Sequence, residues 1–125
     1  MAIHESGEDY LEAILILGDA SPFVRSIDVA AFLGVTKPSV SRAMSILKAD
    51  GLVEMAGDGA LTLTDAGREI AERMYERHKF FTTFLTSLGV DKEVAAEDAC
   101  RIEHVISEES FRKLREHLEQ RGYNV

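Results

Sequence analysis

At 125 residues the chain has room for one domain or for two small ones sharing a core. Its 46% hydrophobic content is ordinary for a soluble globule, no apolar run approaches the roughly 20 residues that span a bilayer, and the N-terminus lacks a secretory layout, so a cytoplasmic location with no membrane partner is expected. The single cysteine excludes an internal disulfide framework, and the net charge of -8 excludes a protein that coats nucleic acid by bulk charge.

That charge is uneven. Residues 1–20 hold five acids and neither Lys nor Arg, whereas residues 21–50 hold Arg25, Lys37, Arg42 and Lys48 against Asp28 and Asp50. A local basic surface on an acidic protein can bind DNA, and the acidic excess then needs its own explanation.

Tyr10, Leu11, Ile14, Leu15 and Leu17 follow helical spacing from Ser6, an N-cap candidate, to about Leu17, with Gly18-Asp19 as the stop. Asp9 and Glu12 are i, i+3 neighbours on this helix. Taken alone they read as a solvated acidic first turn favoured by the helix dipole; the lack of a basic neighbour also suits a cation from outside. After a Ser21-Pro22 turn, Ser26 is the expected cap of a short helix from Ile27 to Leu33, with Val29, Ala30 and Leu33 inward and Gly34 as its stop. Thr36 caps a second helix whose Pro38 sits in the first turn, where its missing N–H costs nothing. Val40, Ala43, Met44 and Leu47 turn inward, leaving Lys37, Ser39, Ser41, Arg42, Ser45 and Lys48 outside. Two short helices joined at a glycine form a helix-turn-helix pattern, and the small, basic outer face of the second suits a major groove.

Leu52–Met55 and Ala60–Leu63 alternate around Gly57-Asp58-Gly59 as a hairpin, which turns the pattern into a winged helix. Thr64-Asp65 opens a long helix to about Leu88, with Ile70, Met74, Phe81, Phe84, Leu85 and Leu88 as its apolar set and Gly89 after it. This set outruns what a winged helix needs for its own core, so a second packing surface is expected. His78 lies mid-helix, where a lone His is more often packed than a ligand. Asp91 caps a helix from Lys92 to about Ile106. Ser107 caps a last helix, with Phe111, Leu114 and Leu118 inward, that ends at Arg121-Gly122. The expected fold class is mainly α: an N-terminal winged helix-turn-helix over 1–70, then an all-helical domain over 71–125.

In the penultimate helix Cys100, Glu103 and His104 stand at i, i+3 and i+4, within about 100° of arc. A thiolate, a carboxylate and an imidazole suit a first-row transition metal. By itself the trio also reads as a small buried hydrophobe beside two ordinary polar residues. His4 and His117 receive no role and are expected at the surface.

With the winged helix and the Cys100 run both placed, the sequence resembles the diphtheria toxin repressor family of metal-responsive transcription factors, including its manganese-sensing branch. The resemblance covers nearly the whole chain. Its most specific pieces are Glu8-Asp9-Tyr10-Leu11-Glu12, Val35-Thr36-Lys37-Pro38-Ser39-Val40-Ser41, Asp50-Gly51-Leu52-Val53, Leu63-Thr64-Asp65-Ala66-Gly67, Arg77-His78, and Asp98-Ala99-Cys100-Arg101-Ile102-Glu103-His104-Val105-Ile106-Ser107.

The resemblance implies a homodimer that binds a palindromic double-stranded DNA operator through the winged helix, with Fe(II) or Mn(II) as co-repressor and no organic cofactor, and it makes 71–125 the dimerisation and metal-binding domain. It puts the ligand set on Asp9, Glu12, His78, Cys100, Glu103 and His104. Cys100 departs from the manganese branch, which has Glu there, and matches the iron branch, which has Met where this chain has Asp9. The iron branch's second site finds His78 but meets Thr82 and Ala96 where Glu and His are expected. A short form without the C-terminal SH3-like domain is expected. The thiolate favours a softer ion and Asp9 and Glu12 a harder one; Fe(II) is narrowly preferred, and Zn(II) or Co(II) would bind in vitro by the affinity order. On the DNA side Lys37, Ser39, Ser41 and Arg42 are expected to face the groove, Arg42 toward a guanine edge, with Thr36, Lys48, Arg25 and the wing tip near phosphates. The competing expectation is a winged-helix regulator of an organic ligand with a structural His/Cys/Glu cluster; an enzyme built on Cys100 and His104 is not expected, for want of a substrate cleft.

Overall fold

A computed structural model of the chain describes residues 5–122. Among these the elements run α1 (Glu5–Ala20), α2 (Ser26–Leu33), α3 (Lys37–Ala49), β1 (Val53–Met55), β2 (Leu61–Leu63), α4 (Asp65–Ser87), α5 (Lys92–Val105) and α6 (Glu108–Gln120). The fold class is a winged helix-turn-helix followed by a helical unit. Two compact units divide between Arg73 and Met74, within the continuous α4.

In the first unit α1 packs on α2, α3 and β2. Leu11, Val29 and Val40 are fully buried, with Met44, Leu47, Leu52, Val53 and Leu61 nearly so. α1 starts before Ser6, which is therefore inside the helix and not its cap. It also passes through Gly18-Asp19: Ser21 N–H donates to Leu17 O at 3.0 Å, so the ladder continues until Pro22, which disfavours the helical conformation in the residue before it. Ser26 likewise is the first residue of α2 and not its cap. Arg25 is the N-cap, and its N–H donates to the Asp28 carboxylate at 2.9 Å, half of a capping box that a Ser-centred reading overlooks. Gly34 ends α2 with φ of 68°, the left-handed conformation that favours glycine. Thr36 caps α3, accepting from Ser39 N–H at 3.3 Å.

β1 and β2 pair antiparallel with Val53 opposite Leu63, and Leu61 N–H reaches Val24 O at 2.7 Å, adding an extended segment beside the hairpin. Thr64 locks the hairpin to α4, donating to Gly51 O at 2.7 Å and accepting from Gly67 N–H at 3.1 Å. Gly67 has no room for a side chain, because a Cβ there would lie 2.0 Å from Leu52 O.

The second unit holds an aromatic core on the later part of α4, on α5 and on α6. Phe80 meets Phe81 edge-on at 5.1 Å and Phe111 at 5.2 Å, with Ala99 and Leu118 buried around them. Phe80 is absent from the expected apolar set, yet the cluster surrounds it on a wider arc than a single stripe. Leu88 falls beyond the end of α4 and is 58% exposed, so it does not belong to that set. α5 stops at Val105, and Ile106 leaves in extended conformation. Ser107 caps α6, accepting from Ser110 N–H at 3.1 Å.

Candidate metal centre and nucleic-acid face

The helical period of α5 puts Cys100, Glu103 and His104 on one face, where each offers a ligand atom within 4.8 Å of the others. Glu103 is fully buried, and among the described residues neither carboxylate oxygen accepts a hydrogen bond. Oε1 lies 3.5 Å from His104 Nε2, and Oε2 lies 3.4 Å from Nδ1 of His78 on α4. The His104 side chain is 1% exposed and that of His78 28%. Cys100 is half-buried.

These separations discriminate between two uses of the cluster. A charge-assisted N–H···O bond closes to about 2.7–2.9 Å, whereas two atoms each about 2.1 Å from a shared ion stand roughly 3.0 to 3.5 Å apart. The observed 3.4 and 3.5 Å fall in the second range. A buried carboxylate with no donor is costly unless a cation supplies the missing interaction. The donor set on α4 and α5 therefore fits a divalent first-row ion.

Asp9 and Glu12 belong to α1 of the first unit. Asp9 is half-buried and Glu12 is 7% exposed, so Glu12 is not a solvated first-turn residue. A residue the sequence reading missed stands beside His78: Arg77 is 5% exposed, and its guanidinium donates to Glu103 O at 3.0 Å and to Ile106 O at 2.7 Å. The visible signals were its place in the Arg77-His78 piece of the resemblance and its adjacency to a candidate ligand, in a helix otherwise read for its apolar face. His117 is exposed and accepts from Arg121 Nε at 2.8 Å; His4 lies outside the described residues.

On the first unit Arg25, Thr36, Lys37, Ser41, Arg42 and Lys48 are all exposed. Ser39 is half-buried, and its hydroxyl is 2.8 Å from Thr36 Oγ1, a contact at the α3 cap. Arg25 and Lys37 line one recess with Ser26, Ile27, Met55 and Gly59, which joins the starts of α2 and α3 to the hairpin. Lys48 is eleven residues further along α3, about 16 Å by helical rise. No helix among the described residues is long and apolar enough to cross a membrane.

Two family models match the chain. Residues 2–61 match the iron dependent repressor N-terminal DNA binding domain, and residues 64–124 match the iron dependent repressor metal binding and dimerisation domain. The transcriptional regulator MntR of Escherichia coli is 36% identical over 115 residues, covering 92% of this chain and 74% of that protein. Among solved structures, a manganese-dependent transcriptional repressor in complex with manganese is similar with a TM-score of 0.82 at 30% identity, covering 90% of this chain and 52% of the other. The IdeR of T. acidophilum is similar with a TM-score of 0.78 at 26% identity, covering 99% and 56%.

Proposed function

The chain belongs to the iron-dependent repressor family of metal-dependent, DNA-binding transcriptional regulators, and on that premise we propose that it is a cytoplasmic homodimeric repressor whose operator binding is switched on by Fe(II) or Mn(II). The observation that carries this reading is Glu103, a buried carboxylate that accepts no hydrogen bond and faces a different histidine nitrogen with each oxygen.

The ligand set is Cys100, Glu103, His104 and His78 from the helical unit, completed by Asp9 and Glu12 of α1. The two oxygens of Glu103 address His104 and His78 separately, so Glu103 would be the carboxylate that both histidines share as a fellow ligand. When bound, a divalent cation supplies the positive charge that three carboxylates in one site otherwise lack. Because Asp9 and Glu12 sit on the helix leading into the DNA reader while the other ligands sit in the helical unit, shared ligation ties the reader to the dimerisation half. A coupling of about 1 to 3 kcal/mol is the expected scale. Cys100 and the two histidines favour Fe(II), and Asp9 and Glu12 are compatible with either ion, so Fe(II) is preferred.

In the DNA reader Lys37, Ser39, Ser41 and Arg42 supply groove contacts. Arg25, Thr36 and Lys48 supply phosphate contacts, and Thr36 also caps the start of α3. The dimer sets the spacing of two such helices near one turn of duplex, which makes the operator palindromic. Binding accounts for the whole reading, without turnover. A structure of the metal-loaded protein with anomalous data at the Fe and Mn edges tests it: ion density between Glu103 and both histidines is expected, and density only at surface carboxylates would reject it.

A further inference from the structure

Arg77 precedes His78 on α4, and both residues address Glu103. His78 faces its carboxylate, 3.4 Å from Oε2, while Arg77 Nη1 holds its backbone oxygen at 3.0 Å. The same Nη1 donates to Ile106 O at 2.7 Å, and Nη2 pairs with Glu108 Oε2 at 2.8 Å at the start of α6. The guanidinium also lies 5.2 Å from the centroid of the Phe111 ring.

Packing alone does not call for an arginine here. A guanidinium nearly removed from water carries a desolvation cost that an apolar side chain of similar volume avoids. What arginine adds is a rigid fork of donors for several acceptors at fixed angles. The acceptors are specific ones: the last carbonyls of a helix have no donors within the helix, and α5 ends at Val105. A cation there also complements the helix dipole. Glu103 meanwhile has reason to leave, since its carboxylate is buried without a hydrogen bond and would gain by turning the last turn of α5 toward solvent. Arg77 opposes that movement from the backbone side.

We propose that Arg77 is a positioning residue for metal binding, which clamps the Glu103 carbonyl and the end of α5 to Glu108 and so holds Glu103 and His104 ready for a cation. The role rests on the reading of Glu103 and His104 as ligands. Arg77 does not touch the ion; it fixes the backbone from which two ligands project. Groups of this kind around a metal site are worth about 10- to 100-fold in affinity.

The test compares wild type, Arg77→Lys, Glu108→Gln and Glu103→Gln by Mn(II) calorimetry and by the absorption spectrum of the Co(II)-loaded protein, with circular dichroism of each metal-free chain. If wild type binds no Mn(II), or Glu103→Gln binds it as tightly as wild type, the ligand assignment itself fails. Given wild-type binding that Glu103→Gln abolishes, Arg77→Lys keeps the charge but loses the fork. It is expected to bind Mn(II) about 10- to 100-fold more weakly, with shifted Co(II) bands and an unchanged metal-free fold. Glu108 has a side chain 67% exposed, so Glu108→Gln cannot open the core. Its expected loss is roughly two- to fivefold, the scale of one partly exposed ion pair. If Arg77→Lys does not fold, Glu108→Gln decides alone. Wild-type affinity and an unshifted spectrum in the folded variants would overturn the role.

Discussion

Glu103 Oε2 stands 3.4 Å from His78 Nδ1, across from a helix that begins 27 residues earlier in the chain. That separation is too long for a strong hydrogen bond and suited to two ligands of one ion. It places a buried carboxylate where, among the described residues, it accepts no hydrogen bond and meets two imidazoles, and the consequences can be measured.

Replacing that charge should have opposite effects on the metal-free and metal-loaded protein. Glu103→Gln removes a buried carboxylate that accepts no hydrogen bond and supplies an amide that can donate. Metal-free stability at pH 8 is expected to rise by about 1 kcal/mol. The increase in melting temperature that Mn(II) gives the wild type is expected to vanish. Thermal unfolding of both chains, with Mn(II) and with a chelator, checks both signs.

Cys100 shares its face of α5 with Glu103 and His104, so its sulfur reports on ligation directly. The Co(II)-loaded wild type is expected to show a thiolate charge-transfer band that is missing from Cys100→Ala. The same substitution should weaken Fe(II) more than Mn(II), because sulfur favours the softer ion. A band that persists in Cys100→Ala would take the thiol out of the site.

Acidification should release the metal. Histidine binds an ion only as the neutral imidazole, so each histidine that ligates must lose a proton, and protons compete with the cation once the pH falls through about 6.5. With His78 and His104 both ligating, their protonation is expected to leave Mn(II) affinity nearly unchanged from about pH 8 to pH 7 and to lower it increasingly below about pH 6.5, with a limiting slope of about tenfold per pH unit for each proton displaced. Calorimetry at three pH values measures the slope, and a flat profile would exclude both histidines.

On the DNA side, two exposed residues of α3 should fail in different ways. Arg42→Ala is expected to lose about 1 to 3 kcal/mol of discrimination between operator and mutated operator. Lys48→Ala should weaken all duplexes alike and lower the salt slope by about one. Binding of a duplex selected from random sequence by the Mn(II)-loaded protein, titrated at several salt concentrations, separates the two.

The hairpin is joined to α4 through a contact that leaves no space. Gly67→Ala would bring a Cβ to 2.0 Å from Leu52 O, which is backbone and cannot swing away. A loss of about 1 to 3 kcal/mol in denaturant unfolding is expected, the ordinary cost of forcing extra volume into a packed site.

Periodicity made much of this legible before any coordinates. Cys100, Glu103 and His104 share a face because a helix has 3.6 residues per turn, and the inward set Val40, Met44 and Leu47 follows from the same rule. Local chemistry also carried Thr36 at its cap and the glycine-tipped hairpin. Ser26 was harder, since Arg25 ends up as the cap through a backbone bond to Asp28, and the usual cap residue is displaced by one. Arg77 entered only through the Arg77-His78 piece of the resemblance, and its burial and contacts were not legible. Its burial depends on Glu103, Ile106 and Glu108, which lie 26 to 31 residues away, and no local pattern marks a charged residue whose acceptors belong to the end of another helix. Phe80 was hidden for a similar reason: its neighbours Phe111 and Leu118 come from α6, so its burial is a tertiary fact.

The central claim is that a cation at Glu103 and its histidines switches operator binding. The most direct measurement is the affinity of the purified protein for its selected duplex, with Mn(II) or Fe(II) and again with a chelator, in wild type and in Glu103→Gln. A gain of about 5- to 150-fold with metal in the wild type, absent from Glu103→Gln, is predicted. Equal affinity with metal and with chelator in the wild type would contradict it.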